Sequence, residues 1–129
     1  MPINRDNAHW ALAVIDNEAR TVAYLDSLRG SGSDVVEALC RYMNDEHRDK
    51  KGAPLPGAPY TAGQPPLSLP RQLNAVDCGA FVCAFCELLV RGVEPSVGVF
   101  TQDDLPQWRQ RILISCAGQN GAPRILDAE

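Results

Sequence analysis

Long apolar runs, excess basic charge and a paired set of cysteines are all missing from this chain, and each absence removes a class of protein. No stretch of the 129 residues approaches the roughly 18 consecutive apolar residues of a membrane span. Lys and Arg number 12 against 16 Asp and Glu, a net charge of −4 that argues against a nucleic-acid partner. The first residues, Met1-Pro2-Ile3-Asn4-Arg5-Asp6, lack the charged-then-apolar layout of a signal peptide, which places the chain inside the cell. Its 5 cysteines, an odd number, suit reduced thiols better than a disulfide framework. Internal repeats and coiled-coil heptads are also lacking. What is left is an ordinary soluble composition, 45% hydrophobic and 22% charged, in a length suited to one domain.

Patterning predicts a small α+β unit. Residues 9–15 and 20–26 read as two strands joined by the polar turn Asp16-Asn17-Glu18-Ala19. Ser33 is positioned to cap a helix over about 34–47 that buries Val35, Val36, Leu39, Tyr42 and Met43. Residues 48–70 are rich in proline and glycine and read as a surface loop, with a short strand at Leu67-Ser68-Leu69. An apolar run predicts a buried helix over 78–91, stopped by Gly92. A last helix over 104–116 tolerates Pro106 in its first turn and buries Trp108, Ile112 and Leu113. Residues 1–117 form the domain in this reading and 118–129 a flexible tail.

Within that frame His9, Asp26, Gln72 and Cys78 are a base, an orienting carboxylate, an amide donor and a nucleophile, the parts a cysteine hydrolase needs. If the hairpin turn centres between Asn17 and Glu18, His9 falls directly opposite Asp26 on one face, with Cβ atoms about 4.5–5.5 Å apart. A register one residue away would send the two to opposite faces. Ala11 and Ala13 share the His9 face and leave room for the Cys78 helix to approach there, with Asp77 able to cap it. A thiol at a helix N-terminus beside an imidazole is enriched in thiolate at neutral pH. Gly79 keeps space clear beside the sulfur. Either Gln72 or Asn74 could supply the second donor to a developing oxyanion, and spacing alone does not choose.

These residues resemble the ubiquitin-like-protease family, the cysteine peptidases that process and deconjugate SUMO-type modifiers. The likeness rests on Pro2-Ile3-Asn4, His9-Trp10-Ala11-Leu12, Asp26-Ser27, Gln72-Leu73-Asn74, Asp77-Cys78-Gly79-Ala80-Phe81-Val82-Cys83 and Phe100-Thr101-Gln102-Asp103-Asp104-Leu105-Pro106. It implies a papain-like fold with a small antiparallel sheet packed on the nucleophile helix, truncated on its N-terminal side. It implies His9 as general base, Asp26 as its orienter, Cys78 as nucleophile, Gln72 rather than Asn74 as oxyanion donor, and Trp10 as an aromatic wall over the Gly-Gly end of a modifier. Cleavage would follow that Gly-Gly, without metal or cofactor, in the nucleus or cytoplasm. The partners implied are a SUMO-like modifier and its conjugates, with no nucleic acid and no membrane. Family domains carry a substantial segment ahead of the histidine strand, so a further segment completing that half is expected. Two alternatives stand beside this reading: a catalytically silent module that binds a modifier or partner, and the same chemistry directed at ubiquitin or another relative.

Blander readings compete at several positions. Cys78, Cys83, Cys86 and Cys116 mimic the spacing of iron–sulfur ligands, but their apolar spacers read as a buried helix rather than a loop around a cluster. Cys40, Cys83, Cys86 and Cys116 are therefore taken as buried structural thiols. Trp108 reads as core, His47 as a solvated helix end, and Arg109 and Arg111 as surface charges.

Overall fold

The computed structural model describes residues 1–117; the expected tail over 118–129 lies outside the described residues. Strands β1 (Pro2–Arg5), β2 (His9–Asp16), β3 (Thr21–Leu25) and β4 (Thr61–Ala62) form one sheet in the order β1-β2-β3-β4. Helix α1 is Ser33–Lys51, α2 is Cys78–Val90, and a 3-10 turn at Gln102–Asp104 leads into α3, Leu105–Cys116. The architecture is α+β. The sheet is mixed rather than purely antiparallel, because β4 runs parallel to β3. No described helix is long and apolar enough to cross a membrane.

The β2–β3 hairpin departs from its expected register. Asp16 pairs with Thr21 and Leu12 with Leu25, so the turn centres between Glu18 and Ala19. The cause is local: Asp16 Oδ1 accepts the backbone N–H groups of Glu18 and Ala19 at 2.9 and 2.8 Å, and Arg20 takes a left-handed φ of 54°. Continued, this register sets Asp26 opposite Ala11 rather than His9. The shift is two residues, and side-chain period in a strand is two, so His9 and Asp26 keep a common face as diagonal neighbours.

Strand β1, which patterning did not indicate, pairs with β2 through a turn at Asp6 and Asn7, both at positive φ (54° and 55°). Asp and Asn are the non-glycine residues that tolerate this conformation best. The supposed strand at 67–69 is a turn, and Leu67 is fully solvated; the strand in that loop is β4 instead. Prolines on both sides of Leu67-Ser68-Leu69 leave too few ladder donors there. The proline-rich loop is also anchored, since Arg20 Nη1 donates to the Ala58 carbonyl at 2.6 Å and Tyr60 Oη to Asn17 Oδ1 at 2.8 Å.

The two sheet faces are covered by different helices. Leu12, Val14, Ala23 and Leu25 pack with Phe81, Phe85 and Leu88 of α2 and with Phe100 and Trp108. Ala11, Val22 and Tyr24 pack with Val36 of α1. The small residues on the His9 face therefore admit α1, and α2 takes the larger side chains opposite, the reverse of the expected arrangement. Gly32 lets α1 start close: a Cβ there would lie 2.1 Å from the Tyr24 ring. Helix α1 begins at Ser33 without a side-chain cap and runs to Lys51, with Gly52 in the left-handed conformation (φ 65°) ending it. Tyr42 is exposed on it, as is Leu113 on α3. Gly92 stops α2 as expected, at φ 72°, with Val93 N–H returning to Leu88 O at 2.9 Å.

Candidate active site

His9 opens β2 and Asp26 follows the last residue of β3, so both lie at one end of the sheet. The imidazole Nε2 and Asp26 Oδ1 are 2.7 Å apart. The same oxygen accepts Leu28 N–H at 2.7 Å, and Oδ2 accepts Gly30 N–H at 3.1 Å. Three N–H donors thus converge on a carboxylate that is 5% exposed, and a group so surrounded can only accept. It follows that Nε2 carries the ring proton and Nδ1 is left as the basic nitrogen. Gly30 is required for this arrangement, because a Cβ there would stand 2.6 Å from Asp26 Oδ2.

Cys78 is the first residue of α2 and is buried. Helix α2 covers the sheet face opposite to the one that carries His9, and its first turn meets the start of β2. Trp10, next to His9, lies 3.9 Å (Cδ1) from where a Cβ on Gly79, next to Cys78, would be. Nothing closer meets that position, so a Cβ there would make ordinary van der Waals contact with the indole and packing does not demand glycine. Trp10 itself is 42% exposed and lies at the surface rather than in the core. Among the described residues no hydrogen bond joins the Cys78 thiol to the imidazole, which bonds to Asp26. A cleft of about 450 Å³ lined by Val14, Ala23, Leu25, Leu67 and Leu89 lies toward the hairpin end of the sheet, away from His9.

Gln72 is 2% exposed. Its Oε1 accepts the Ser27 hydroxyl at 2.6 Å and its Nε2 donates to Asn74 O at 2.6 Å, leaving the second N–H of Nε2 for another acceptor. Asn74 is occupied otherwise: Oδ1 accepts Val76 and Asp77 N–H at 3.0 and 3.1 Å, and Nδ2 donates to Asp77 Oδ2 at 2.5 Å. Its Oδ1 and one N–H are thus tied into that turn, and like Gln72 it keeps one further N–H.

Asp77 does not cap α2 with its side chain. Its carboxylate instead collects Asn74, Gln102 Nε2 at 2.6 Å, and the guanidinium of Arg109. Arg109, read from sequence as a surface charge, is thus a tether between α3 and the residue before Cys78. Arg111 is also engaged, with Glu87 at 2.8 Å and over the Trp108 ring at 4.8 Å. Sequence offered no signal for the Arg109 contact beyond a cation one turn into the last helix. The 3-10 turn that delivers Gln102 is closed by a capping box, Thr101 N–H to Asp104 Oδ2 at 2.7 Å.

The Arg109 guanidinium, followed by the Asn74 amide, holds the Asp77 carboxyl below its ordinary range. A carboxyl so depressed stabilises the fold fully above its unfolded value, near ~4, and less as pH falls through the folded value below it. Arg109 is half exposed, so Arg109→Gln is expected to cost only about 1 kcal/mol at pH 7. Urea unfolding at pH 7 and pH 3 checks this: the deficit should shrink at the lower pH, and an undiminished deficit would mean that the charge pair is not its source.

The remaining cysteines differ from expectation. Cys83 and Cys116 are exposed and Cys40 and Cys86 half-buried, so only Cys78 is a buried thiol. An apolar helix buries one stripe, and Cys83 falls outside it. Cys78, Cys83 and Cys86 lie on one continuous helix, not on a loop that could wrap a cluster. His47 is half-buried near the end of α1, and Trp108 is core as read.

The profile of the Ulp1 protease family, C-terminal catalytic domain, matches residues 1–121. Sentrin-specific protease 2 of Homo sapiens is 34% identical over 114 residues, covering 88% of this chain and 19% of that protein. The Ulp1-like SUMO protease catalytic domain of Chaetomium thermophilum superposes with a TM-score of 0.74 at 33% identity, over 96% of this chain and 47% of its own. The C-terminal Ulp1 protease domain in complex with Smt3, the yeast ortholog of SUMO, does so with a TM-score of 0.62 at 25% identity, over 85% of this chain and 47% of that one. The chain spans about a fifth of the length of the human relative and about half of these solved chains.

Proposed function

Because this chain belongs to the Ulp1 protease family, we propose that it is a thiol-dependent peptidase or isopeptidase that cleaves after the C-terminal Gly-Gly of a SUMO-like modifier. The observation that carries the reading is the 2.7 Å contact between His9 Nε2 and Asp26 at the sheet end where α2 presents Cys78. In this reading the Cys78 sulfur attacks the carbonyl carbon of the terminal glycine, and its proton passes to His9 Nδ1. The same nitrogen returns a proton to the departing lysine amine or peptide amine, then deprotonates the water that splits the thioester. Asp26 holds the ring in the required tautomer and balances its charge. The backbone N–H of Cys78 and the free N–H of Gln72 hold the oxyanion, each at a contribution of about 3 kcal/mol.

The substrate side of the proposal rests on exposed apolar surface beside the machinery. Trp10, Leu28, Leu73 and Val76 are 42%, 43%, 78% and 76% exposed, and each is within two residues of His9, Asp26, Gln72 or Cys78. Such a rim suits an extended glycine tail lying beside Trp10 and Gly79, with the modifier body against the apolar side chains. The five cysteines are free, which supports a reducing, intracellular setting. The relative solved with Smt3 supports SUMO as the modifier.

A SUMO probe ending in a Gly-Gly vinyl sulfone tests this directly. A covalent adduct at Cys78, located by peptide mass, is expected. A folded chain that forms no adduct but retains SUMO in a binding assay would instead be a silent binding module. Preferential labelling by a ubiquitin probe in a parallel arm would move the substrate to that modifier.

A further inference from the structure

Ser27 has no part in the reaction as set out above, yet it is fully buried beside two residues that do. Its hydroxyl donates to Gln72 Oε1 at 2.6 Å, and its carbonyl accepts the Gln72 backbone N–H at 3.1 Å. We propose that Ser27 is a positioning residue that, together with the Asn74 carbonyl, anchors the Gln72 carboxamide with its free N–H toward the reacting carbonyl. The inference rests on the proposed function, in which Gln72 is an oxyanion donor.

A glutamine amide can turn over about its last bond, exchanging oxygen and nitrogen at nearly the same positions. Only the nitrogen end can help an oxyanion. In this chain two contacts select one orientation. The Asn74 carbonyl can only accept, so it requires Nε2 on its side, 2.6 Å away. That leaves Oε1 opposite, where a hydroxyl must donate, and Ser27 does. The Asn74 carbonyl is itself held by the turn in which Asn74 Oδ1 binds the N–H groups of Val76 and Asp77. An unbroken line of contacts therefore runs from Ser27 through Gln72 and Asn74 to Asp77, the residue before Cys78.

At its other end this line begins one peptide bond from Asp26. The acid that orients the base and the hydroxyl that orients the oxyanion donor share one backbone segment, just past β3. Without the hydroxyl, Oε1 would be a buried acceptor with no donor, and the amide would gain by shifting out of place or by admitting water. The consequence falls on the transition state, because the oxyanion forms only there. Substrate binding, which Ser27 does not touch, should be unaffected.

The experiment measures kcat and KM on a SUMO–Gly-Gly fluorogenic substrate for the wild type, Ser27→Ala, Gln72→Ala and the double variant. It also follows the rate at which iodoacetamide alkylates Cys78, a displacement of iodide that builds no oxyanion. Ser27→Ala is expected to lower kcat about 10- to 100-fold, less than the roughly 10²- to 10³-fold cost of removing an oxyanion donor outright, with KM nearly unchanged and alkylation as fast as in the wild type. The double variant should be no slower than Gln72→Ala, since Ser27 acts only through that amide. Losses that multiply in the double variant, slowed alkylation, or an unchanged kcat would each overturn the inference. A folded wild type with no turnover would overturn the proposed function instead. In that case the Gln72 side-chain NH₂ resonances still decide the orientation: they should move in Ser27→Ala, and unmoved signals would overturn the positioning role.

Discussion

Replacing Cys78 with serine is expected to reduce turnover of a SUMO–Gly-Gly substrate by at least about 10³-fold, since a nucleophile and its base act as a unit and losing one forfeits most of their joint effect. The physical reason is the difference between the two elements at the same place. A thiol with a reference pKa of ~8.5 loses its proton readily to a neighbouring imidazole, and a serine hydroxyl does not. His9 is held by one contact to Asp26 and, among the described residues, makes no hydrogen bond to the thiol, so it is not pre-engaged to activate a hydroxyl. The change in volume is small and the site is the first turn of a helix whose core side is carried by Phe81 and Phe85. Thermal unfolding should therefore move little. Single-turnover kinetics beside a melting curve separate the two effects, and a serine variant that keeps full turnover would show that Cys78 is not the nucleophile.

Asp26→Asn is expected to lower kcat/KM by roughly 10²- to 10⁴-fold, toward the loss seen when a triad acid is made neutral. Here the argument comes from counting donors. Asp26 Oδ1 serves His9 and Leu28 N–H, and Oδ2 serves Gly30 N–H. An amide offers one oxygen and one NH₂, so one end must oppose N–H to N–H. If the NH₂ faces His9, the ring must accept at Nε2 and protonate at Nδ1, which removes the base from the side of the thiol. If it faces Gly30, the imidazolium loses its counter-charge and the turn is strained where Gly30 already packs against Oδ2. The sheet does not depend on that carboxylate, so circular dichroism should be preserved. Wild-type activity in the asparagine variant would mean that the acid only shapes the turn.

The sequence exposed the active-site partners more clearly than the geometry joining them. His9 and Asp26 could be matched because side chains in strands alternate strictly, and a two-residue error in register leaves that alternation intact. The error itself came from Asp16, whose side chain binds the N–H groups of Glu18 and Ala19 and pushes the turn onward; hydrophobic pattern carries no trace of such a bond. The apolar run after Cys78 made α2 legible, but not the face it covers. Ala11 and Ala13 suggested a close helix on their side, and there is one, but it is α1 bearing Val36. Strand β1 was hidden because its short length and its polar turn at Asp6 and Asn7 resemble a loose terminus. That Asn74 is tied to its own turn through Val76 and Asp77 is visible only in the structure. The Arg109 contact spans 32 residues and no local rule reaches so far.

That last contact orders events in time. A ribosome delivers the N-terminal strands first, at about 5–20 residues per second, and His9 and Asp26 can meet as soon as the hairpin closes. The loop that presents Cys78 is fastened by Gln102 and Arg109, both made later. While the chain is still being synthesised, base and acid are already paired but the nucleophile is not yet seated. Any proteolytic competence of this site would thus wait until α3 has been made, a delay that requires no inhibitor.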